Sequence, residues 1–592
     1  MHLKINEIEN KCLQYTELIC AQNEMWTSND FSYVSAAITR RLILEMKLAA
    51  ALVALFLVFL AFFCVNSQNG FSGKPTVLVN IPGQGKVLGV FDRSLWTNQT
   101  FMRFMGIPYA ESPKRESRFK APLEKLPWNH IWDATRYGRR CPVITSVSKM
   151  SPEELKEDLE NCLNLCVYTK NLTQTLPVMF YIYGGGFYNG SASDHPPKFL
   201  LEQDIVLVVP QYRIGALGWL STLSSRMPGN APVKDLILAL RWVQQHIRKF
   251  GGDPENVTIF SQSAGAAMAG ALLLSKETPA GIFKRAIMQS GSILARWAIN
   301  KEPQKQAVRI CKALGCVDCN KVHQTHRCLS ESTVPNLLRE SFSPVVGDLY
   351  GILPQQPTEL VKNYSSTISI MMGFTRDDGS FILAEYYDKL KANVGNLSSI
   401  TVRQFANGIM EMEGDSSRLA NNLLTRLLFS ADLLESYNHK YAIPAYFDLA
   451  SIQFMKSPAI ALCSQLVQKG TADVYFYTFD YAGENSRFGY EFGNEHYPFN
   501  GGIHHSNDNI YLFSTMKLNH NDNNIAKKMV SIWTSFATNG IPNVNTVIFT
   551  DENGPFFHIN ENITIANDIL KELTATTDDP ENTKLNRKHI EF

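Results

Sequence analysis

The sequence predicts an α/β fold in which a large, mostly parallel central sheet is flanked by helices. From about Val87 onward, short apolar runs alternate with longer amphipathic stretches. Apolar runs without polar alternation are typical of parallel strands that are buried on both faces. No internal repeat or long low-complexity linker interrupts the alternation, so we expect one large domain. The predicted strands span residues 178–183, 205–211, 257–260, 286–289, 368–372 and 474–479.

Two stretches illustrate the predicted helices. Residues 380–455 have a largely helical pattern and form a predicted insertion near one end of the sheet. Insertions there commonly cover a functional site, and a scaffold of packed helices is the alternative. In residues 236–250, apolar side chains recur at helical spacing, namely at Leu236, Leu240, Val243, Ile247 and Phe250.

Composition and charge exclude some classes of partner. The chain contains 56 basic and 55 acidic side chains, which gives a net charge of +1. A near-neutral chain gives no electrostatic reason to expect a nucleic-acid or polyanion partner. The hydrophobic fraction of 45% and the charged fraction of 19% indicate a globular protein with a large core.

The N-terminal region is predicted to be separate from the fold. Lys47 is followed by an unbroken apolar run, residues 48–65, and then by polar residues. This order is typical of a secretory signal peptide, which we assign to residues 46–67 with Met46 as its start. The run is long for a signal peptide, and a membrane-spanning signal anchor is the alternative. Residues 1–45 are predicted to be a leader or an over-extension of the gene model.

The domain is expected to span residues 75–570 and to be followed by a polar C-terminal tail, residues 571–592. The tail has no second apolar run, so we expect no stable membrane anchor. Its end resembles an endoplasmic-reticulum retrieval signal but has Phe592 in place of leucine. Secretion is therefore the favoured localisation, and retention is the alternative.

Seven Asn-x-Ser/Thr sequons suit a secreted protein. Asn189 and Asn256 lie close to the motifs described below, and we do not expect glycans on them. The predicted glycosylation sites are Asn98, Asn171, Asn363, Asn396 and Asn562.

Eight of the eleven cysteines follow the predicted signal peptide and are expected to pair in an oxidising compartment. Cys141 and Cys162 bracket one loop, and four more cysteines lie in residues 311–328. Cys316 and Cys319 have the C-x-x-C spacing of a zinc site, but disulfides are the favoured interpretation in a secreted chain. We therefore expect neither a metal nor another cofactor.

Residues 257–266 predict a strand that turns sharply into a helix. A short apolar run ends in small residues, with Ser263 at the turn. The nucleophile elbow G-x-S-x-G has this form, because small residues around the serine let the strand and the helix pack closely. Gly265 fills the second small position, whereas Ser261 replaces the first glycine. A side chain at residue 261 is expected to strain the turn, at a cost of about 1–3 kcal/mol.

Three further motifs accompany the predicted elbow. Consecutive glycines at residues 184–186 follow a predicted strand, and they free backbone N–H groups to stabilise an oxyanion; a plain flexible turn is the alternative. Asp378 lies shortly after another predicted strand, at the sheet edge where this architecture binds substrates. His505 follows in a glycine-preceded loop. Serine, acid and histidine in this order indicate a triad of the α/β-hydrolase type.

Several short motifs identify the family that the sequence resembles. They are MGIPYA at 105–110, NCLNL at 161–165, YGGGF at 183–187, YRIG at 212–215, PGN at 228–230 and FGGDP at 250–254. With these motifs in family order, residues 75–570 resemble the carboxylesterase and cholinesterase family of α/β-hydrolases, most closely its secreted insect esterases of the juvenile-hormone-esterase type. The resemblance implies the α/β-hydrolase fold and the hydrolysis of carboxylic esters.

The resemblance also implies roles for individual residues. Ser263 is the implied nucleophile, His505 the general base, and Asp378 the acid, at a position where glutamate is usual. The implied oxyanion donors are the N–H groups of Gly185, Gly186 and Ala264. The implied disulfides are Cys141–Cys162 and Cys316–Cys328, which leave Cys311 and Cys319 free or mutually paired. Cys166 and Cys463 are expected to be buried thiols.

Departures from the family pattern narrow the expected substrate. The loop 141–162 contains no aromatic residue, so the platform that cholinesterases use there for a quaternary ammonium is missing. Gln262 precedes the implied nucleophile at a position where many relatives have glutamate, and a glutamine there resembles the juvenile-hormone-esterase type. We expect a secreted serine carboxylesterase for a small hydrophobic ester. A catalytically weak or inactive extracellular adhesion or binding protein is the alternative, because of Ser261.

Overall fold

The computed structural model describes residues 75–579, except residues 144–149, 152–157, 339, 366, 395–396, 413–417, 471–472, 494, 545–546 and 552. The expected leader, the expected signal peptide, Asn396 and residues 580–592 lie outside the described residues. Within the described part of the chain, no helix is both long enough and apolar enough to cross a membrane.

In this part of the chain, thirteen strands form one sheet and two short strands pair separately. The strands are β1 (Thr76–Ile81), β2 (Gly85–Arg93), β3 (Thr100–Pro108), β4 (Ala110–Glu111), β5 (Leu123–Glu124), β6 (Ile131–Asp133), β7 (Asn164–Thr169), β8 (Leu176–Ile182), β9 (Val206–Pro210), β10 (Gly252–Gln262), β11 (Arg285–Gln289), β12 (Ser369–Thr375), β13 (Val474–Phe479), β14 (Phe556–Ile559) and β15 (Ile563–Ala566). The sheet follows the order β1-β2-β3-β7-β9-β8-β10-β11-β12-β13-β14-β15, with β6 beside β2.

The middle of this sheet is parallel, from β9 through β8 and β10 to β14. The strand pairs nearer its two ends are antiparallel, apart from the parallel pair of β2 and β6. The six predicted strands correspond to β8–β13, and the predicted fold class is confirmed. β10 is longer than predicted because Gly252, at its start, also pairs with Leu176 on β8, and the register shifts between Gly252 and Val257.

Helices cover the sheet. The α-helices are α1 (Gly215–Trp219), α2 (Ala231–His246), α3 (Ala264–Leu274), α4 (Pro303–Ala313), α5 (Val322–Glu331), α6 (Val334–Leu337), α7 (Pro357–Leu360), α8 (Ser380–Val394), α9 (Val402–Glu411), α10 (Arg418–Leu428), α11 (Ala431–Glu435), α12 (His439–Ser451), α13 (Ser457–Gln468), α14 (Arg487–Phe492) and α15 (His520–Asn539). A π-helical turn, Ile452–Lys456, joins α12 to α13.

The helix predicted at residues 236–250 begins earlier and ends in a tighter turn. It comprises α2 and the 3₁₀ turn Ile247–Phe250. α2 begins at Ala231 because Pro232 fits the first turn of a helix, where no intrahelical N–H bond is needed. The apolar side chains that predicted this helix are all buried.

The predicted helical insertion contains α8–α12 and has its own apolar core. Leu383, Phe405, Tyr446 and Leu449 are buried within it. This second cluster is separate from the core around the sheet, and Phe488, Tyr497 and Phe499 from a later segment also belong to it.

Three disulfides are present among the described residues. They are Cys141–Cys162, Cys311–Cys319 and Cys316–Cys328. Two of them are the pairs that the resemblance implies, and the pair Cys311–Cys319 settles the pairing that was left open. Cys166 and Cys463 are buried free thiols, and burial raises the pKa of Cys166 to about 11, so this thiol stays protonated at neutral pH.

Candidate active site

The serine turn lies between β10, which ends at Gln262, and α3, which begins at Ala264. Ser263 occupies the turn with φ 59° and ψ −127°, a conformation that residues other than glycine rarely adopt. Its N–H donates to the carbonyl oxygen of Gln289, at the end of β11, at 2.8 Å. The chain therefore has the strand, sharp turn and helix that the sequence predicts here.

Two glycines allow close backbone contacts around this turn. A Cβ atom added to Gly265 would lie 2.1 Å from the carbonyl oxygen of Ile182, at the end of β8. A Cβ atom added to Gly184 would lie 2.7 Å from the Cβ of Ser263. Distances this short require glycine at both positions. The glycine turn after β8 therefore lies directly against Ser263.

Ser261, the residue expected to strain the turn, is a fully buried member of β10. It pairs with Ile182 on β8 and with Met288 on β11. Its Oγ donates to the carbonyl oxygen of Ile287 at 2.8 Å. This hydrogen bond offsets the cost of burying the hydroxyl, so the polar atom of Ser261 is satisfied inside the sheet.

Two hydrogen bonds join Asp378, His505 and Ser263. Oδ1 of Asp378 is 2.5 Å from Nδ1 of His505. Nε2 of the same imidazole is 2.8 Å from Oγ of Ser263. Asp378 is completely buried, whereas Ser263 and His505 are each 8% exposed. Solvent therefore reaches the serine and histidine end of this series and not its carboxylate end.

These partners define the tautomer of His505. An ionised carboxylate only accepts hydrogen bonds, so Nδ1–H donates to Asp378 and Nε2 accepts from the hydroxyl of Ser263. The side-chain nitrogen of Gln262 lies 3.1 Å from the same Nε2. Two donors therefore converge on one imidazole nitrogen, and that nitrogen is placed to take a proton from the serine.

The adjacent histidine, His504, contacts a different set of groups. It is completely buried, its Nδ1 lies 2.7 Å from Oγ of Ser380, and its Nε2 lies 3.7 Å from a carboxylate oxygen of Glu491. Burial lowers the pKa of His504, which keeps this ring neutral at physiological pH. Of the two histidines, His505 is the one that contacts Ser263.

The N–H groups expected to bind an oxyanion belong to the glycine turn after β8 and to the first residue of α3. Gly185 and Gly186 have φ angles of 118° and 59°, conformations that favour glycine. Within the described residues, their N–H groups donate to no backbone carbonyl in the surrounding loops. Ala264 is the first residue of α3, where an N–H has no partner inside the helix. These three donors are therefore available to a ligand.

Two residues behind the acid were missed by the sequence analysis. Asp377 is buried, and its Oδ2 accepts the N–H of Ile503 at 2.6 Å, while its Oδ1 accepts the hydroxyl of Thr576 at 2.5 Å. Thr576 is only 3% exposed, although it lies in the stretch expected to be a polar tail. The Asp-Asp pair was visible in the sequence, whereas a threonine in a polar stretch gives no signal.

The described sequons differ in their surroundings. Asn98, Asn363 and Asn562 are exposed and Asn171 is half-buried. The side chain of Asn256 donates to the carbonyl oxygen of Thr538 and accepts from Arg285. The amide of Asn256 is therefore engaged in the fold, and the glycosylation sites stay predictions.

Comparisons with known proteins identify a family and relatives that cover most of the described region. The sequence model of the Carboxylesterase family matches residues 75–578. Glutactin of Drosophila melanogaster is 27% identical over 529 residues, which cover 84% of this chain and 51% of glutactin, so the chain spans about half the length of that relative. Esterase FE4 of Myzus persicae is 29% identical over 522 residues, or 83% of this chain and 88% of the esterase. Juvenile hormone esterase of Tribolium castaneum is 31% identical over 501 residues, or 77% of this chain and 83% of that enzyme. The chain therefore belongs to the Carboxylesterase family.

Proposed function

We propose that this chain is a secreted serine carboxylesterase that hydrolyses carboxylic esters through an acyl-enzyme intermediate. The observation that carries the proposal is the hydrogen-bonded series from Ser263 through His505 to Asp378, with distances of 2.8 and 2.5 Å. Membership in the Carboxylesterase family supports the reaction class.

Acylation begins when Oγ of Ser263 attacks the ester carbonyl carbon and Nε2 of His505 takes the serine proton. Asp378 holds Nδ1–H in place and stabilises the positive charge of the imidazolium. The imidazolium then gives its proton to the departing alkoxide, which leaves as the alcohol. The product of this half-reaction is an ester between the acyl group and Ser263.

Deacylation repeats these steps with water as the nucleophile. His505 takes a proton from the water as its oxygen attacks the acyl carbon, and the proton is then given to Oγ of Ser263. The carboxylic acid leaves and the free serine is restored. In both halves, the N–H groups of Gly185, Gly186 and Ala264 stabilise the negative oxygen of the tetrahedral intermediate, at about 3 kcal/mol for each donor.

A small hydrophobic ester is the proposed substrate. The ring of Phe381 lies 4.9 Å from the imidazole of His505, and Phe187, next to the glycine turn, contacts Trp219 and Trp297. Aromatic side chains around the reacting atoms favour apolar acyl or alcohol groups. Relatives named esterase FE4 and juvenile hormone esterase support an ester as the substrate class.

An inactive binding protein is the alternative that Ser261 raises. The hydroxyl of Ser261 has a hydrogen-bond partner, and the donor and acceptor atoms around Ser263 are at hydrogen-bond distances. These observations support a working turn and favour the esterase.

Secretion is part of the proposal. Three disulfides support passage through an oxidising compartment. Exposed sequons at Asn98, Asn363 and Asn562 suit the same route.

Turnover of p-nitrophenyl esters tests the proposed reaction. The full chain, produced in a eukaryotic secretory host, is assayed with acetate, butyrate and octanoate esters beside Ser263→Ala. We expect the wild type to hydrolyse at least one ester and the variant to lose a factor of about 10³ or more in kcat. Ser330→Ala, which removes another buried serine hydroxyl that contacts His326, is the control and should keep wild-type turnover. Folded wild-type protein without turnover, or equal turnover by Ser263→Ala, would contradict the proposal.

A further inference from the structure

The last described residues of the chain lie against the back of the acid turn. We call residues 572–579 the C-terminal clasp. The carbonyl oxygen of Glu572 accepts from Nζ of Lys456 at 2.6 Å, and Asp579 lies 3.4 Å from Nη1 of Arg376. Both ends of the clasp are therefore attached to the domain, one to the π-helical turn before α13 and the other to Arg376, which directly follows β12.

The middle of the clasp is attached to the buried carboxylate of Asp377. The hydroxyl of Thr576 donates to Oδ1 of Asp377 at 2.5 Å, and the N–H of Ile503 donates to Oδ2 at 2.6 Å. Asp377 precedes Asp378 in the chain, and Ile503 lies two residues before His505. One side chain thus joins the clasp to the loop of the acid and to the loop of the histidine.

A second buried carboxylate holds the same stretch of backbone. Oδ2 of Asp448 accepts the N–H of Thr577 at 2.7 Å, and Oδ1 accepts the N–H of Thr576 at 3.4 Å. Asp448 also lies 3.8 Å from Nζ of Lys456, and both side chains are completely buried. A carboxylate buried in this way needs hydrogen-bond donors, so the backbone of the clasp is fixed where the hydroxyl of Thr576 meets Asp377.

We propose that Thr576 is a positioning residue for ester hydrolysis, and that the clasp keeps Asp378 and His505 in their relative positions through the carboxylate of Asp377. This inference rests on the proposed function. The hydroxyl of Thr576 fixes the rotamer of Asp377, and the fixed carboxylate keeps its bond to the N–H of Ile503. Without the hydroxyl, Oδ1 of Asp377 loses its donor, and Arg376, whose Nε lies 3.7 Å from Oδ2, competes with the N–H of Ile503 for that oxygen. The histidine loop then keeps its backbone bond from the N–H of Asp377 to the carbonyl oxygen of Ile503, at 3.1 Å, but loses the side-chain bond that fixes its distance from the acid.

The effect on the reaction falls on the chemical step. Proton transfer from Ser263 to His505 depends on a short distance, and a misplacement of about 1 Å costs roughly a hundredfold in rate. The clasp does not contact Ser263, so substrate binding is expected to change little. Loss of the Thr576 hydroxyl therefore lowers kcat and leaves KM nearly unchanged.

Three variants of the full chain test the inference: Thr576→Val, Thr576→Ser and Thr574→Val. Thr574 is a matched control in the same segment, because its hydroxyl donates only locally, to Asp578 at 2.7 Å. Steady-state kinetics with p-nitrophenyl butyrate and the rate of labelling by a fluorophosphonate probe are measured for each. We expect Thr576→Val to lose a factor of about 10–100 in kcat and in labelling rate, with KM within about twofold. Thr576→Ser keeps the hydroxyl and stays within about threefold of the wild type, as does Thr574→Val.

Several outcomes overturn the inference. A Thr576→Val protein with wild-type kcat, a Thr574→Val protein that loses as much, or a Thr576→Ser protein without rescue each contradict it. If Thr576→Val does not fold, Thr576→Ala removes the same hydroxyl, and failure of both to fold assigns Thr576 to stability instead. A wild type without turnover or labelling contradicts the proposed function and this inference together. An active wild type beside an unimpaired Thr576→Val contradicts the inference alone.

Discussion

At the serine turn, one of three consecutive polar side chains bonds to the sheet, and the other two contact His505. Oγ of Ser261 donates into the sheet, to the carbonyl oxygen of Ile287. Gln262 and Ser263 both place a donor near Nε2 of His505, at 3.1 and 2.8 Å. Because one nitrogen has room for one strong donor along its lone pair, Gln262 competes with Ser263 in the resting site.

The variant Gln262→Glu tests the electrostatic side of this arrangement. A carboxylate beside the imidazole stabilises its protonated form, so a higher pH is needed to free Nε2 as a base. We expect the acidic limb of the pH profile of kcat/KM to move upward by about one pH unit. Gln262→Met removes the donor without adding charge and should leave that limb in place. Equal shifts in both variants, or no shift in either, would show that charge at residue 262 does not act on His505.

Substitutions of Ser261 test whether its side chain strains the serine turn or stabilises the fold. Ser261→Ala removes a buried hydrogen bond, and we expect the free energy of unfolding to fall by about 1 kcal/mol while kcat stays within about twofold. Ser261→Gly adds backbone entropy to this loss and should be less stable still. Denaturation in urea and steady-state kinetics measure the two quantities. If Ser261→Gly raised kcat by an order of magnitude, the side chain at residue 261 would be straining the turn after all.

At the scale of elements, the proposed catalytic groups follow neighbouring parallel strands. β8 leads into the glycine turn, β10 into Ser263, and β12 into the turn that ends at Asp378. The carboxyl ends of parallel strands lie along one edge of a sheet, so these groups meet without long connections. His505 comes from a later loop, and its position depends on the contacts that Asp377 and the clasp provide.

His558, on β14, forms a pH-dependent contact between the sheet and the clasp. Hydrogen bonds with Asp480, after β13, and with Glu572 of the clasp raise the pKa of His558 to about 9. The folded state therefore binds this proton more tightly than the unfolded state, in which the pKa is about 6.5. The stabilisation is fully present below about pH 6.5 and is lost as the pH rises through about 9.

We expect the free energy of unfolding to decline by roughly 2 kcal/mol from this group between pH 6.5 and pH 9.5, after allowance for its partial exposure. His558→Gln should remove that part of the decline, because glutamine does not titrate. His130→Gln, which replaces an exposed histidine, is the matched control and should keep the wild-type decline. Urea denaturation at both pH values measures the difference. Parallel curves for His558→Gln and the wild type would exclude His558 as the source.

At the scale of the molecule, the sequence predicts what depends on local pattern. Buried strands such as β9 and β13 are largely apolar runs, and the small residues around Ser263 indicate the turn that the structure shows. The contact of Thr576 with Asp377 joins residues 199 positions apart, and no local pattern encodes it. The hydrogen bond from Ser261 to the carbonyl oxygen of Ile287 likewise depends on the register of β10 with β11, which local sequence patterns do not specify.

The helical insertion shows the same limit of prediction from local sequence patterns. Its helical pattern predicts α8–α12, but the two carboxylates that receive the clasp, Asp377 and Asp448, come from different parts of the chain. Only the folded chain brings them to one stretch of backbone. Activity in this protein is therefore expected to depend on residues up to Asp579, beyond the boundary at residue 570 that the sequence suggests.

The most direct test of the proposed esterase is to map the residue that a fluorophosphonate probe modifies. The full chain is labelled, digested and analysed by peptide mass spectrometry, beside His505→Ala and His504→Ala. The structure predicts one adduct, on Ser263, with labelling slowed by about a hundredfold or more in His505→Ala and retained in His504→Ala. An adduct on a different residue, or folded wild-type protein that is not labelled at all, would contradict the account.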